Sequence, residues 1–486
     1  MAAQDAYMIV DIGTGNVRVA VATPAGEVLC VERDNVHYKT DDKYADALWF
    51  DPTALWGQIL TLAAKALQQV PQVVIKAVTA SSQREGVVLL DEEGNAIIGF
   101  PNHDHRGREW ECMLANKERI YQLTGRYPSS LFSALKLVGL RERQPALYDK
   151  FSTLLSISDW AQYQLSGVKG FEHSQASETQ LYDVAAKCWS EELCAAFGIE
   201  SRVLPPLHSS GAILGKVLPV YAQQLQISPE TVVVVGGADT QLAIKSTRPS
   251  VDDIVIVSGT TTPVTKIMTD YLVDEQERTW TNRHVEEGCF ILETNAGVTG
   301  LNYQRLKEIF YPYESYDVIE RELAAAPASQ CVASLGSLIA DEKSPVIRGG
   351  FSFNVPVSHE LTRACFVRAA LWDIACCIKA NCEALCQVTG HELDYVWACG
   401  GGMQSPMLRQ FIATLLNKKV LLREGFQQAS VIGGAFICNQ ALGIPEGDTP
   451  VAEIVYPAAQ EHEAQQEEWR SMRRSLRQGD LREEVV

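Results

Sequence analysis

Apolar residues along this chain fall into short runs closed by glycine turns, and between the runs they recur at three- and four-residue spacing. YMIVDIGTGNVRVAVATPAGEVLCVE, beginning at Tyr7, predicts a strand, a glycine turn, a returning strand, a Pro-Ala-Gly turn and a third strand. DPTALWGQILTLAAKALQQV then carries its apolar residues at helical spacing, opened by a proline in the first turn. VVIKAVTASSQREGVVLLDEEGNAI predicts a buried strand, a polar interruption at its end and a hairpin, and the stretch from Arg108 to Tyr148 predicts mostly helix. Strands alternating with helices in this way imply an α/β architecture.

Halfway along, DDIVIVSGTTTPVTKIMTDYLV repeats the opening grammar of apolar strand, Gly and Thr turn, and returning strand. Such self-similarity predicts two domains on one plan, residues 1–247 and 253–457, joined near Thr247 to Asp253, where Pro, Ser and charge interrupt the apolar pattern. Residues 458–486 form a charged helix or tail. Facing α/β domains make a cleft, and ligands on such sheets bind beyond the carboxyl ends of strands.

Composition narrows the functions open to that cleft. The 486 residues, 46% hydrophobic and 21% charged, are those of a globular chain too long for one core. A net charge of -18 disfavours nucleic acid, and the absence of a long apolar run disfavours a membrane span. Without a secretion signal the expected location is the cytoplasm, where the 13 cysteines stay reduced. Cys376, Cys377, Cys382 and Cys386 lack the paired spacing of a zinc site and read as helix packing.

Six polar stretches follow predicted strands. DIGTGNVR offers glycine amides, the Thr14 hydroxyl and the Arg18 cation to an anion, and Asp11 to a magnesium ion through water, although a plain hairpin has the same composition. VSGTTTPVT reads as a Thr-rich turn or as a second clasp on the same polyphosphate. After YVWAC come Gly400, Gly401 and Gly402, more than a helix cap at Ser405 and Pro406 requires, and suited to close approach of a flat ligand such as adenosine. SSQREG sets donors and acceptors side by side, as a polyhydroxylated ligand needs, or makes a surface hairpin with an ion pair, and NHDHR supplies a further polar group after another apolar segment. His103 and His105 lack a third ligand and read as hydrogen-bonded histidines. Last, VVVVGGADTQLAIKS places one carboxylate, Asp239, directly after a glycine pair, where it is either a functional acid or a cap for the helix that follows.

Taken together, from Tyr7 to about Pro457, the motifs resemble those of the FGGY family of carbohydrate kinases, within the actin, Hsp70 and sugar-kinase superfamily. The resemblance implies two duplicated actin-like (ribonuclease H-like) α/β domains flanking an ATP and substrate cleft. It implies ATP contacts at Gly13, Thr14, Gly15, Arg18, Gly259, Thr260, Gly400, Gly401, Gly402 and Ser405, with Mg2+ near Asp11. Asp239 falls on the family's catalytic aspartate, and Gln83, Arg84, Glu85, Asn102, Asp104 and Asp239 on its substrate site. Compared with glycerol kinases, Asn102 and Leu131 replace the aromatic residues of the glycerol cage, Gly139 stands where a Trp is usual, and Lys136 is kept. SSQREGVVLLDEEG with NHDHR is most similar to autoinducer-2 kinases, which act on an open-chain five-carbon compound. The implied activity is phosphorylation of a hydroxyl on a sugar, ketose or polyol of about five carbons. The alternatives are a xylulose or ribulose kinase and a non-catalytic nucleotide-switched sugar-binding protein. A small-molecule substrate is the expected partner, with homodimer formation left open.

Overall fold

A computed structural model describes residues 4–327, 330–342, 346, 348–447, 450–459 and 462–483. The opening run folds as expected: Gln4–Ile12, Asn16–Ala22 and Val28–Asn35 form an antiparallel meander. Alternation of β-branched and small residues lets each strand bury one side against helices, and Val10, Ile12, Val17 and Val19 lie in one core with Ile59 and Leu62 of the helix Pro52–Gln69. Val73–Ser82 joins Gln4–Ile12 in parallel, Val232–Ala238 joins Val73–Ser82 in parallel, and Ile213–Lys216 closes the edge antiparallel, giving a six-stranded sheet.

The second sheet repeats the plan, except that its closing strand follows rather than precedes its neighbour in the chain. Ile254–Val257, Pro263–Met268 and Phe290–Asn295 make the antiparallel meander, Tyr395–Cys399 and Lys419–Arg423 follow in parallel, and Val451–Val455 closes antiparallel. Trp280–Arg283 extends the free edge to seven strands. The two sheets are therefore a duplication in topology as well as in sequence grammar.

Two helices cross between the sheets. Asp239–Thr247 leaves the first sheet, and Ala429–Leu442 leaves the second to pack beside it; a Cβ on Gly433 would stand 1.9 Å from the Leu242 carbonyl oxygen. Cys376, Cys377 and Cys382 are buried in the helix Arg363–Thr389. The charged C-terminal helix Glu463–Glu483 is docked, with Trp469 Nε1 donating to buried Asp373 Oδ1 at 2.7 Å. Among the described residues no helix is long and apolar enough to cross a membrane.

Candidate active site

The sequence motifs stand at equivalent places on the two sheets. DIGTGNVR follows the first strand of one meander and VSGTTT the first strand of the other; SSQREG and the three glycines each follow the fourth strand; Asp239 follows the fifth strand of the first sheet. Strand ends of this kind converge on one cleft.

Asp11 is buried and anchors the first turn. Arg18, its cross-strand partner, donates Nη2 to Asp11 Oδ2, Ser430 Oγ donates to the same oxygen at 2.8 Å, and Ser81 Oγ donates to Oδ1 at 2.8 Å. Arg18 Nη1 also reaches Gln428 Oε1 at 3.0 Å, so this motif of the first half is bonded to two residues of the second. Gly13 N donates to Asn16 O at 2.9 Å and tightens the turn, while Gly15 faces open space. Thr14 is held from two sides, by Tyr38 Oη on its carbonyl at 2.7 Å and Asn102 Nδ2 on its hydroxyl at 2.9 Å.

Gln83 joins that turn to the substrate motif. Its amide nitrogen donates to Gly13 O at 3.3 Å and Tyr38 Oη at 3.1 Å, and its Oε1 accepts from Asn102 N at 2.9 Å. Thr14, Gln83 and Asn102 are thus one hydrogen-bonded group beside the Asp11–Arg18 pair. Arg84 is gripped by Glu293, Nη1 to Oε2 at 2.5 Å and Nη2 to Oε1 at 2.8 Å. Glu85, with a left-handed φ of 61°, is 6% exposed, and its carboxylate takes no hydrogen bond from the described residues. Asp104 is fully buried, and its oxygens accept from Leu48 N at 2.7 Å and Arg106 Nε at 2.8 Å, so it braces the NHDHR loop.

Asp239 is the first residue of its helix rather than the cap, which is Ala238, and no side chain caps that helix end. Its Oδ1 accepts from Thr240 N at 2.6 Å, and Oδ2 takes no hydrogen bond from the described residues. The residue keeps part of its surface open to the cleft. Burial of the carboxylate, then the negative charge of Asp11, push it up to about 7, against the pull of Arg84 and the Thr240 amide. Lys136, fully buried, donates to Asn102 O at 3.0 Å, and burial pushes it down to about 8. Burial also pushes His105 down to about 4; its Nδ1 lies 3.1 Å from Ser130 Oγ, and His103 Nδ1 lies 3.0 Å from Asn102 Oδ1, both hydrogen-bonded as expected.

On the opposite wall, Ser258 organises two loops. Gly402 N donates to Ser258 O at 2.9 Å, and Cβ atoms on Gly400 or Gly402 would fall 2.3 and 2.1 Å from Ser258 atoms. Gly400 has a φ of 96°, which only glycine adopts freely. Gly401 faces open space, and Gly259 and Thr260 are exposed at the adjoining turn. Ser405 caps the helix Pro406–Leu416, its hydroxyl accepting from Leu408 N at 3.3 Å.

Sequence reasoning missed Ser430, Gln428, Tyr38, Glu178, Arg126 and Glu293. A single acid inside the apolar strand FILETN was the available signal for Glu293, since a buried charge requires a partner. Ser430 and Gln428 carried none, because their partners lie more than 400 residues away.

Two duplicated domains with glycine turns on both, and a carboxylate with one unpartnered oxygen at a strand end, fit a carbohydrate kinase. The N-terminal domain of the FGGY family of carbohydrate kinases matches residues 6–245 and the C-terminal domain matches 256–442. The chain belongs to the FGGY family. A Bacillus subtilis (strain 168) protein named "Putative sugar kinase YoaC" is 49% identical over 477 residues, 98% of each chain. The autoinducer-2 kinase of Salmonella typhimurium (strain LT2) is 25% identical over 460 residues, 90% of this chain and 86% of that one. The fold is that of Plasmodium falciparum glycerol kinase with ADP (TM-score 0.82, 17% identity, 97% of each chain). It is equally that of a ligand-bound xylulose kinase from Lactobacillus acidophilus (TM-score 0.81, 16% identity, 96% of each chain).

Proposed function

We propose that this carbohydrate kinase transfers the γ-phosphoryl group of ATP to a hydroxyl of a ketose or open-chain sugar of about five carbons. The observation that carries the proposal is Asp239: an acid with one unpartnered oxygen, at a strand end, within electrostatic reach of Asp11, Arg18, Arg84 and Glu85. Its free oxygen accepts a hydrogen bond from the substrate hydroxyl and orients it. As the new O–P bond forms and the bond to the β-phosphate oxygen breaks, the hydroxyl proton passes to Asp239 and ADP leaves. Glu85 and the Nε edge of Arg84 supply an acceptor and a donor for neighbouring hydroxyls, and Gln83 and Asn102 shape the wall beside them.

The adenosine lies at Gly400, Gly401 and Gly402, with phosphates between Gly13–Thr14–Gly15 and Gly259–Thr260; the Gly13 and Gly259 amides hold these turns, to Asn16 O and Thr261 O at 2.9 Å each, and the open face at Gly15 and the exposed Thr260 admit an anion. Magnesium fits as a nucleotide-held ion. Both Asp11 oxygens already accept from Arg18, Ser430 and Ser81, which favours contact through water, and no three His, Cys, Asp or Glu side chains among the described residues form a metal cage. Bound there, it would neutralise charge on the transferring phosphate.

Substrate size follows from Asn102 and Leu131, which leave the pocket without an aromatic cage. Glycerol would fill it loosely and hold its hydroxyl poorly. An ADP-release assay with D-xylulose, D-ribulose, an open-chain five-carbon dihydroxydione and glycerol tests the reading. Turnover should be highest with a five-carbon compound. Glycerol as the best substrate would overturn the size argument, and sugar binding without any ADP release would identify a nucleotide-switched sugar-binding protein instead.

A further inference from the structure

Beneath SSQREG lies a buried polar cluster drawn from both halves of the chain. Glu293, on the strand Phe290–Asn295, is fully buried, and each of its oxygens accepts twice. Oε2 takes Arg84 Nη1 and Asn282 Nδ2 (3.1 Å), and Oε1 takes Arg84 Nη2 and Asn295 Nδ2 (3.4 Å). Arg126, also fully buried, donates to Glu178 at 2.6 Å and to Asn282, and Glu178 stands 3.7 Å from Arg84.

Resting on the proposed phosphotransfer, we infer that Glu293 is a positioning residue for the sugar: its two-point grip from the second domain sets the plane of Arg84 in the first. A carboxylate that meets both Nη atoms fixes the guanidinium plane, as a single contact would not. With that plane fixed, the unbonded Nε edge of Arg84 is presented beside Glu85 Oε1, 3.9 Å away, where a sugar hydroxyl can accept from one and donate to the other. A purely structural ion pair has no need of this geometry, because well-packed apolar residues stabilise a buried site as well or better. The surrounding charges agree: burial raises Glu178 to about 8, while Arg84 holds Glu293 low against its burial.

The test uses the full chain and whichever of D-xylulose, D-ribulose, the dihydroxydione and glycerol wild type turns over fastest. Alongside kinetics, phenylglyoxal labelling of Arg84 is read by mass spectrometry. Glu293→Gln should raise KM for that compound about tenfold or more, with kcat and KM for ATP changed less than about threefold. It should also open Arg84 to labelling that wild type resists. If this variant does not fold, the double variant Arg84→Gln with Glu293→Gln decides, since it leaves neither charge unpaired. Its KM should equal that of Arg84→Gln alone, because Glu293 then has nothing to position. An unchanged KM in Glu293→Gln, or a further loss in the double variant, overturns the inference. Wild type inert towards every compound would sink the phosphotransfer reading instead, and the inference would still be decided by labelling: equal protection of Arg84 in wild type and Glu293→Gln overturns it, and exposure only in Glu293→Gln supports it.

Discussion

A Cβ built on Gly236 would stand 1.9 Å from the Ala80 carbonyl oxygen, so two parallel strands approach more closely there than any side chain permits. The strand pairing is irregular over this stretch, between Val234 and Gly237, and it delivers Asp239 to the cleft two residues later. Because the obstacle is backbone, Gly236→Ala should cost about 3 kcal/mol or more, at or beyond the upper end of overpacking effects. Gly401→Ala, which meets open space, should change stability by less than about 0.5 kcal/mol while weakening ATP binding. Urea midpoints for both variants and ATP titration of the second check this pair, and equal midpoints would refute the strand-spacing argument.

Asp239→Asn separates chemistry from folding. The asparagine oxygen can still accept from Thr240 N, so the chain should fold with a melting point no lower than wild type and an ATP affinity near wild type. Turnover should drop by on the order of 10²- to 10⁴-fold, because the amide cannot take the proton. Near-wild-type kcat would remove Asp239 from the mechanism.

The pH profile follows from the raised carboxylate. Asp239 must be ionised to accept the hydroxyl proton, so kcat/KM should climb as pH rises through about 7. For stability the sign is opposite: the folded chain keeps a proton that the unfolded chain, with a carboxyl near 3.9, has released. That contribution therefore weakens folding as pH rises from about 4 to about 7, and Asp239→Asn should remove it. Rate profiles and melts across this range check both limbs, and a kcat/KM flat between about pH 6 and 8 would contradict the assignment.

Domain motion is expected because the proposed ATP site draws on turns of both halves, Gly13–Thr14–Gly15 and Gly259–Thr260. Arg18 to Gln428 and Arg84 to Glu293 already tie the halves at the cleft floor, leaving the outer edges to close. Nucleotide with sugar should reduce the radius of gyration in solution scattering. Superimposable profiles with and without both ligands would argue against closure.

Local pattern alone determined much of this protein. Alternation in YMIVDIGTGNVRVAVA and its echo in DDIVIVSGTTTPVTKIM set strand, turn and strand, because side-chain period and glycine act within a few residues. The same locality placed Asp11, SSQREG, Gly400 and Asp239 at strand ends, where duplicated sheets put their ligands. What the tertiary structure alone decided were the partners. Ser430 on Asp11, Glu293 on Arg84, Trp469 on Asp373 and the commitment of Asp104 to Arg106 and Leu48 have no sequence period. Most join residues far apart in the chain, and each exists because a buried charge must find a complementary group once packing has taken it out of water. The proton affinity of Asp239 belongs to the same class, since it depends on burial and on Asp11, more than 200 residues earlier in the chain.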